Sequence, residues 1–352
     1  MRRTLLTVAA LLASFGAAAD AQQAASGPYA VLKTTKVGGD GGFDYVYADA
    51  ADRRLYVPRS GANGRITVWD LDTFAPVGVI AGVNGHGAAV SAKSHHGFAS
   101  SKPVAMWDTK DLSVIKKIDV EGNPDGIMYD PFNDRVWIFS HSAPNATVIN
   151  AADGSIVGTV DLGGAPEQAA TDGKGHLYVD IEDKANVAVV DAKTLTVTAH
   201  YDISAESTLP AGLSLDAKNH VLFVNCRTPA KMVILNADDG HVITSFPIGA
   251  GTDGGLFNPA TMEAFSSNSD GTLSIVKENS PTSFSLEQTL TTTRGAKTST
   301  LDPKTNHIAL IAAEYGPAPT APEPLPAGGR GGRGGRPPMI PDSFSIWLVG
   351  KP

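Results

Sequence analysis

The sequence predicts an all-β fold, a seven-bladed β-propeller whose N-terminal strand completes the last blade. Three observations carry this expectation: a multi-strand unit recurs about every forty residues, seven copies of it can be traced, and the two chain ends each supply what the other lacks. The 37 Gly and 23 Pro, with few long apolar-periodic helical stretches, agree with a turn-rich β protein.

The N-terminus stands apart from the repeats. Arg2 and Arg3 precede an uncharged run from Thr4 to Ala19, which leads into Ala19-Asp20-Ala21 and Gln22. A basic segment, a short apolar segment and an A-x-A site predict a bacterial-type signal peptide over 1–21 and a mature chain from Gln22. That run is short for a bilayer span and no later segment qualifies, so no membrane span is expected after signal removal. The expected location is periplasmic or secreted.

The repeat begins with "RLYVPRSGANGRITVWDLDT" at Arg54–Thr73 and returns as "HLYVDIEDKANVAVVDAKT" at His176–Thr194. Weaker copies are "RVWIFSHSAPNATVINAADG" at Arg135–Gly154 and "VLFVNCRTPAKMVILNADDG" at Val221–Gly240. Each reads as an alternating strand, a polar loop, a second strand ending in Asp or Asn, and a tight turn. A shorter strand precedes each unit and ends in a turn marker. The markers are Asp49, Ser91, Asp130, Asp172, Asp216, Asn258 and Asp302, spaced by 42, 39, 42, 44, 42 and 44 residues. Asp130-Pro131, Asn258-Pro259 and Asp302-Pro303 place Asx and then Pro where a turn accepts them.

The ends fit one another. "AVLKTTKVGG" (Ala30–Gly39) matches the outer strand of a later unit, "SIVGTVDLGG" (Ser155–Gly164), and nothing before it supplies that unit's other strands. "SFSIWLVGKP" (Ser343–Pro352) is a third strand with no fourth to follow. Pairing the two closes the ring and removes an open sheet edge. The domain thus spans 22–352. It is interrupted by "GPAPTAPEPLPAGGRGGRGGRPPMIP" (Gly316–Pro341), whose composition predicts a disordered loop inserted in the last blade.

Charge and cysteine exclude several functions. The whole chain carries −8; residues 1–21 contribute a net +1, so the mature chain is −9, a poor match for a phosphate backbone. Arg330, Arg333 and Arg336 of the inserted loop resemble an RGG element, but three cations give weak single-strand binding, and nucleic acid is not the expected partner. The single Cys226 excludes an intramolecular disulfide and reads as a small strand residue. "NADDGH" (Asn236–His241) and His95-His96 fall on turns and are read as structural rather than as calcium or metal sites.

"LYV" before a loop, then a strand ending in Asp and a following "T…V", repeated behind a signal peptide, resembles the YVTN-type (YncE-like) seven-bladed propellers of secreted bacterial proteins. The resemblance covers about Ala30–Gly350 and rests on Tyr56-Val57-Pro58, Tyr178-Val179-Asp180 and Phe223-Val224-Asn225; the second and sixth units are degenerate. Trp69-Asp70 and Trp107-Asp108 are similar to WD40 repeats, though only the second has a Gly-His pair upstream, Gly85-His86. The YVTN-type resemblance implies a binding scaffold without naming its ligand.

In a propeller the innermost strands line the axis, and the loops leading into them share a face with the loops between second and third strands. Five residues before each marker stand Asp44, His86, Asp125, Glu167, Ala211, Asp253 and Lys297. Six of these seven can carry charge or hold a cation, with net charge −3 when His86 is neutral. Arg59, His141, Glu182 and Arg227 come from the longer loops of the same face. Converging carboxylates raise one another's pKa and favour a cation or a cationic ligand.

The first functional expectation is an exported, monomeric scaffold that binds a small molecule or a periplasmic protein at the channel mouth. The alternative is a metal-dependent hydrolase of lactonase type at the acidic axial site. A divalent metal is the one cofactor such a ring would take, and the motifs of six-bladed gluconolactonases are not seen. The third is weak single-stranded nucleic-acid binding by the RGG loop, which is also placed to fold over the acidic mouth and gate it. Gly212-Leu213-Ser214-Leu215 lacks the closing Gly of a nucleophile elbow, so covalent hydrolysis has no motif.

Overall fold

The computed structural model describes residues 27–317 and 337–352. Its 28 strands form seven four-stranded antiparallel sheets, and each sheet is one blade. Six blades are built in chain order from inner to outer strand; their inner strands are Tyr47–Asp49, Gly85–Ser91, Pro124–Asp130, Pro166–Thr171, Thr208–Asp216 and Thr252–Asn258. The seventh runs Ser299–Asp302, His307–Ala312, Ser345–Gly350 and then Ala30–Lys36, so the first strand of the described chain is the outer strand of the last blade. Ala30 pairs with Gly350 and Lys36 with Ser345, the closure expected from the two chain ends.

The turn markers act as their residue types require. Each accepts a backbone N–H two or three residues on: Ala51 to Asp49 at 3.0 Å, Lys174 to Asp172 at 2.7 Å, Lys218 to Asp216 at 2.9 Å and Ala260 to Asn258 at 3.0 Å. Ser91 does the same through its hydroxyl, from Ser94 at 3.2 Å. These local bonds end the inner strand and hand the chain to the second strand. In "NADDGH", Asn236 accepts from Asp238 at 2.7 Å, another turn of the same kind.

The core is divided among seven seams, one between each pair of neighbouring blades. Trp137 and Phe139 of the third blade pack on Leu177, Val179 and Ile181 of the fourth, and the last seam sets Phe344 and Ile346 against Leu55 and Val57. Middle strands are therefore covered on both faces and read as apolar runs, whereas outer strands such as Ile156–Val160 keep an exposed face. Cys226 is buried in the seam between the fourth and fifth blades, where burial pushes its thiol up to about 12; it is a packing residue.

Two expectations lie largely outside the described residues: the signal peptide, within 1–26, and the arginine-rich centre of the inserted loop, within 318–336. The described ends of that loop are held together, Gly316 N–H donating to Pro338 at 2.8 Å and Ile340 N–H to Glu314 at 2.8 Å.

Candidate functional site: a closed ring of charge at the propeller axis

Five inner strands break register where the ring residues stand. The shift falls between Gly85 and Ala88, Pro124 and Ile127, Pro166 and Ala169, Pro210 and Gly212, and Thr252 and Gly254. His86, Asp125, Glu167, Ala211 and Asp253 are thus bulge residues, and a bulge turns a side chain out of the ladder. The second strand satisfies the freed amides: Gly87 N–H donates to Ser100 Oγ at 2.8 Å and Gln168 N–H to Asp180 Oδ1 at 2.6 Å. The turned side chains point towards the axis.

There they join in one circuit. Asp44 Oδ2 lies 3.1 Å from His86 Nδ1, which lies 3.3 Å from Asp125 Oδ1. Asp125 Oδ2 lies 3.4 Å from His141 Nε2, which lies 3.7 Å from Glu167 Oε1. Glu167 Oε1 is 3.9 Å from Arg227, whose guanidinium also pairs with Asp253 and Glu182. Lys297 bridges Asp253 and Asp44, the latter at 3.0 Å, and closes the loop. Blade five contributes only Ala211 at its ring position, and Arg227 from its second strand fills the gap.

Tyr45 and Gln168, which sequence reasoning missed, form the floor. The Tyr45 hydroxyl crosses from the first blade to donate to Glu167 Oε2 at 3.1 Å. Gln168 accepts the amides of Leu213 at 2.9 Å and Gly255 at 2.8 Å and donates to Gly255 O at 3.1 Å. Below them lies an axial cavity of about 170 Å³ lined by Tyr45, Glu167, Gln168 and Thr300. The signal available for both was adjacency: each follows a ring residue directly.

Ring electrostatics follow from crowding in a half-buried place. Burial, then Asp253 and Asp125, pushes the Glu167 carboxyl up to about 9, so it holds its proton at neutral pH. Burial also raises Asp125. The bond to Asp44 raises His86. Burial acts against the Lys297 charge, but Asp253 and Asp44 outweigh it and hold the ammonium above its usual range.

Arg59, grouped with the mouth by its loop, stands elsewhere. It is 1% exposed, its guanidinium lies 3.6 Å from the Phe344 ring centroid, and burial lowers its pKa to about 10. A larger cavity of about 440 Å³ opens on the opposite face between the fourth and fifth blades, lined by Tyr178, Tyr201 and Leu215 and rimmed by the pairs Asp172–His176 and Asp238–His220.

No family model matches the sequence, and no curated protein does. Solved structures match the fold. A chain of the crystal structure of the mitotic checkpoint complex superposes with a TM-score of 0.67 at 13% identity, over 88% of this chain and 95% of that one. A chain of Kuenenia stuttgartiensis hydrazine synthase superposes with a TM-score of 0.68 at 15% identity, over 78% of this chain and 94% of that one. At such identities the likeness is one of propeller fold.

Proposed function

We propose that this propeller is an exported binding scaffold whose recognition site is the axial mouth, taking a small polar ligand or the charged segment of a protein partner. The observation that carries the reading is the closed circuit of ionisable side chains, contributed by all seven blades, with His86, Asp125, Glu167 and Asp253 aimed inward by backbone bulges. Burying so many charges costs stability unless each is paired, and a fold that needed only to close its axis could do so with apolar residues. His86 and His141 keep 44% and 38% of their side chains exposed, so the circuit is reachable from solvent. The fold supports binding in the coarse sense; export and the YVTN-type kinship rest on the sequence.

The test is a thermal-shift screen of the full chain against amines, amino acids, lactones and oligonucleotides. A ligand at a hundred times its Kd adds about 2.7 kcal/mol. The shift is expected to vanish when Asp44→Asn and Lys297→Met are made together, a change that opens the ring at Lys297, which bridges Asp44 and Asp253, without altering its net charge. A ligand shift that survives the pair would place recognition elsewhere. The second reading, a metal-dependent hydrolase or lactonase, is favoured by two carboxylate–imidazole groups within the ring, Asp44–His86–Asp125 and Asp125–His141–Glu167. It requires turnover that chelation abolishes and that Asp125→Ala loses.

A further inference from the structure

The two carboxylate–imidazole groups are not equivalent. In the first, Asp44 is already engaged, accepting from Lys297 at 3.0 Å and lying 3.1 Å from His86 in a hydrogen bond. In the second, no hydrogen bond reaches His141 Nε2, Asp125 Oδ2 or Glu167 Oε1 among the described residues. The three approach one another without the alignment of a hydrogen bond, and the other Asp125 oxygen, 3.3 Å from His86, is buried with no hydrogen bond of its own. Glu167 is only 8% exposed, and the Arg227 guanidinium near its Oε1 stands at 3.9 Å, beyond hydrogen-bond reach.

The spacing has an explanation. Ligands held about 2.0–2.1 Å from one tetrahedral ion stand about 3.3 Å from each other. The His141–Asp125 separation of 3.4 Å has that length, and His141–Glu167 at 3.7 Å is a few tenths longer. Tyr45, by donating to Glu167 Oε2, leaves Oε1 to face His141, which is how outer partners orient metal-ligating carboxylates. One imidazole and two carboxylates, once the ion displaces the proton that burial leaves on Glu167, form a mixed donor set that suits zinc, cobalt or manganese better than calcium or magnesium, which prefer oxygen alone. We infer that Asp125, His141 and Glu167 form a seat for one divalent transition-metal ion at the propeller axis, open on its solvent side to a water or a ligand. The inference rests on the axial mouth as the recognition site and names the chemistry that would do the recognising.

The test titrates the chelator-treated full chain with Zn²⁺, and with Co²⁺ to read its ligand-field absorption. One equivalent is expected to saturate the protein. His141→Ala and Glu167→Gln should each weaken Zn²⁺ binding at least tenfold, while His176→Ala, in a histidine–aspartate pair on the opposite face, should leave it unchanged. His141 is exposed enough for its removal to spare the fold, so lost binding there reports on the seat itself. No saturable uptake of either ion, or equal affinity in wild type and both seat variants, overturns the inference. Where the titration fails in this way but the chelated protein still binds an organic ligand at the mouth, the scaffold reading stands and the metal alone is discarded.

Discussion

Asp180 shows how much the inner wall of this propeller asks of single residues. Its side chain is fully buried, one oxygen receives the bulge amide of Gln168, and the other has no partner. Burial is the chief cause that pushes its carboxyl from 3.8 up to about 7. The folded state therefore keeps a proton that the unfolded chain has already lost. Stability linked to Asp180 is complete below the unfolded value of 3.8, falls as pH rises towards 7, and is lost above it. Asn at this position keeps the acceptor for Gln168 and carries no charge. Asp180→Asn is expected to match wild type near pH 4 and to exceed it above pH 7 by on the order of 1–4 kcal/mol. Urea unfolding at the two pH values measures the difference, and an equal offset at both would refute the assignment.

The inner strand and its bulge are the elements on which the site depends. Gly126 follows the ring residue Asp125, and a Cβ there would stand 2.4 Å from the Glu167 carbonyl oxygen of the next blade. At the matching Gly254 the nearest atom would be Ser267 Oγ at 3.4 Å, an ordinary contact. Gly126→Ala should therefore cost about 1–3 kcal/mol by forcing two blades apart, and Gly254→Ala markedly less. Equal costs in urea titrations would mean that the close approach of the blades is not what requires glycine. At this scale the sequence was legible where local chemistry repeats. Asp49, Ser91, Asp130, Asp216, Asn258 and Asp302 each end an inner strand, and Asp172 follows one directly. Counting back from those turns found the ring, because a fixed offset along a strand is a fixed height on the axis. Contacts made across the axis or between distant strands left no such trace. Tyr45 meets a residue 122 positions away. Arg59 turns from the mouth because Phe344, brought beside it only by ring closure, takes its guanidinium face. Nor does an Ala at position 211 announce that Arg227 replaces it.

For the whole molecule, closure is what converts seven sheets into one structure. The outer strand Ala30–Lys36 pairs along Ser345–Gly350, and its lead residue Tyr29 ties the seam to the sixth blade. Tyr29 exchanges two 2.9 Å bonds with Gln288, its hydroxyl donates to the buried Glu263, and Lys351 reaches the same carboxylate at 2.7 Å. First and last described segments therefore meet on one buried acid. Removing residues 27–36 strips the buried Tyr29 ring and the apolar face of Val31 from this seam, a loss of roughly 3–5 kcal/mol. It also bares Ser345–Gly350 as an unpaired edge, and such an edge pairs with other chains. The truncated protein is expected to melt about 4–7 °C lower and to elute as concentration-dependent oligomers in size-exclusion chromatography. A truncated chain that stays monomeric with an unchanged melt would show that the seven seams hold without the seventh blade's outer strand. The ring would then owe its position to the inner strands alone, since Lys297 and Asp44 face each other at the axis between the seventh and first blades, away from the seam that Tyr29 and Val31 fill.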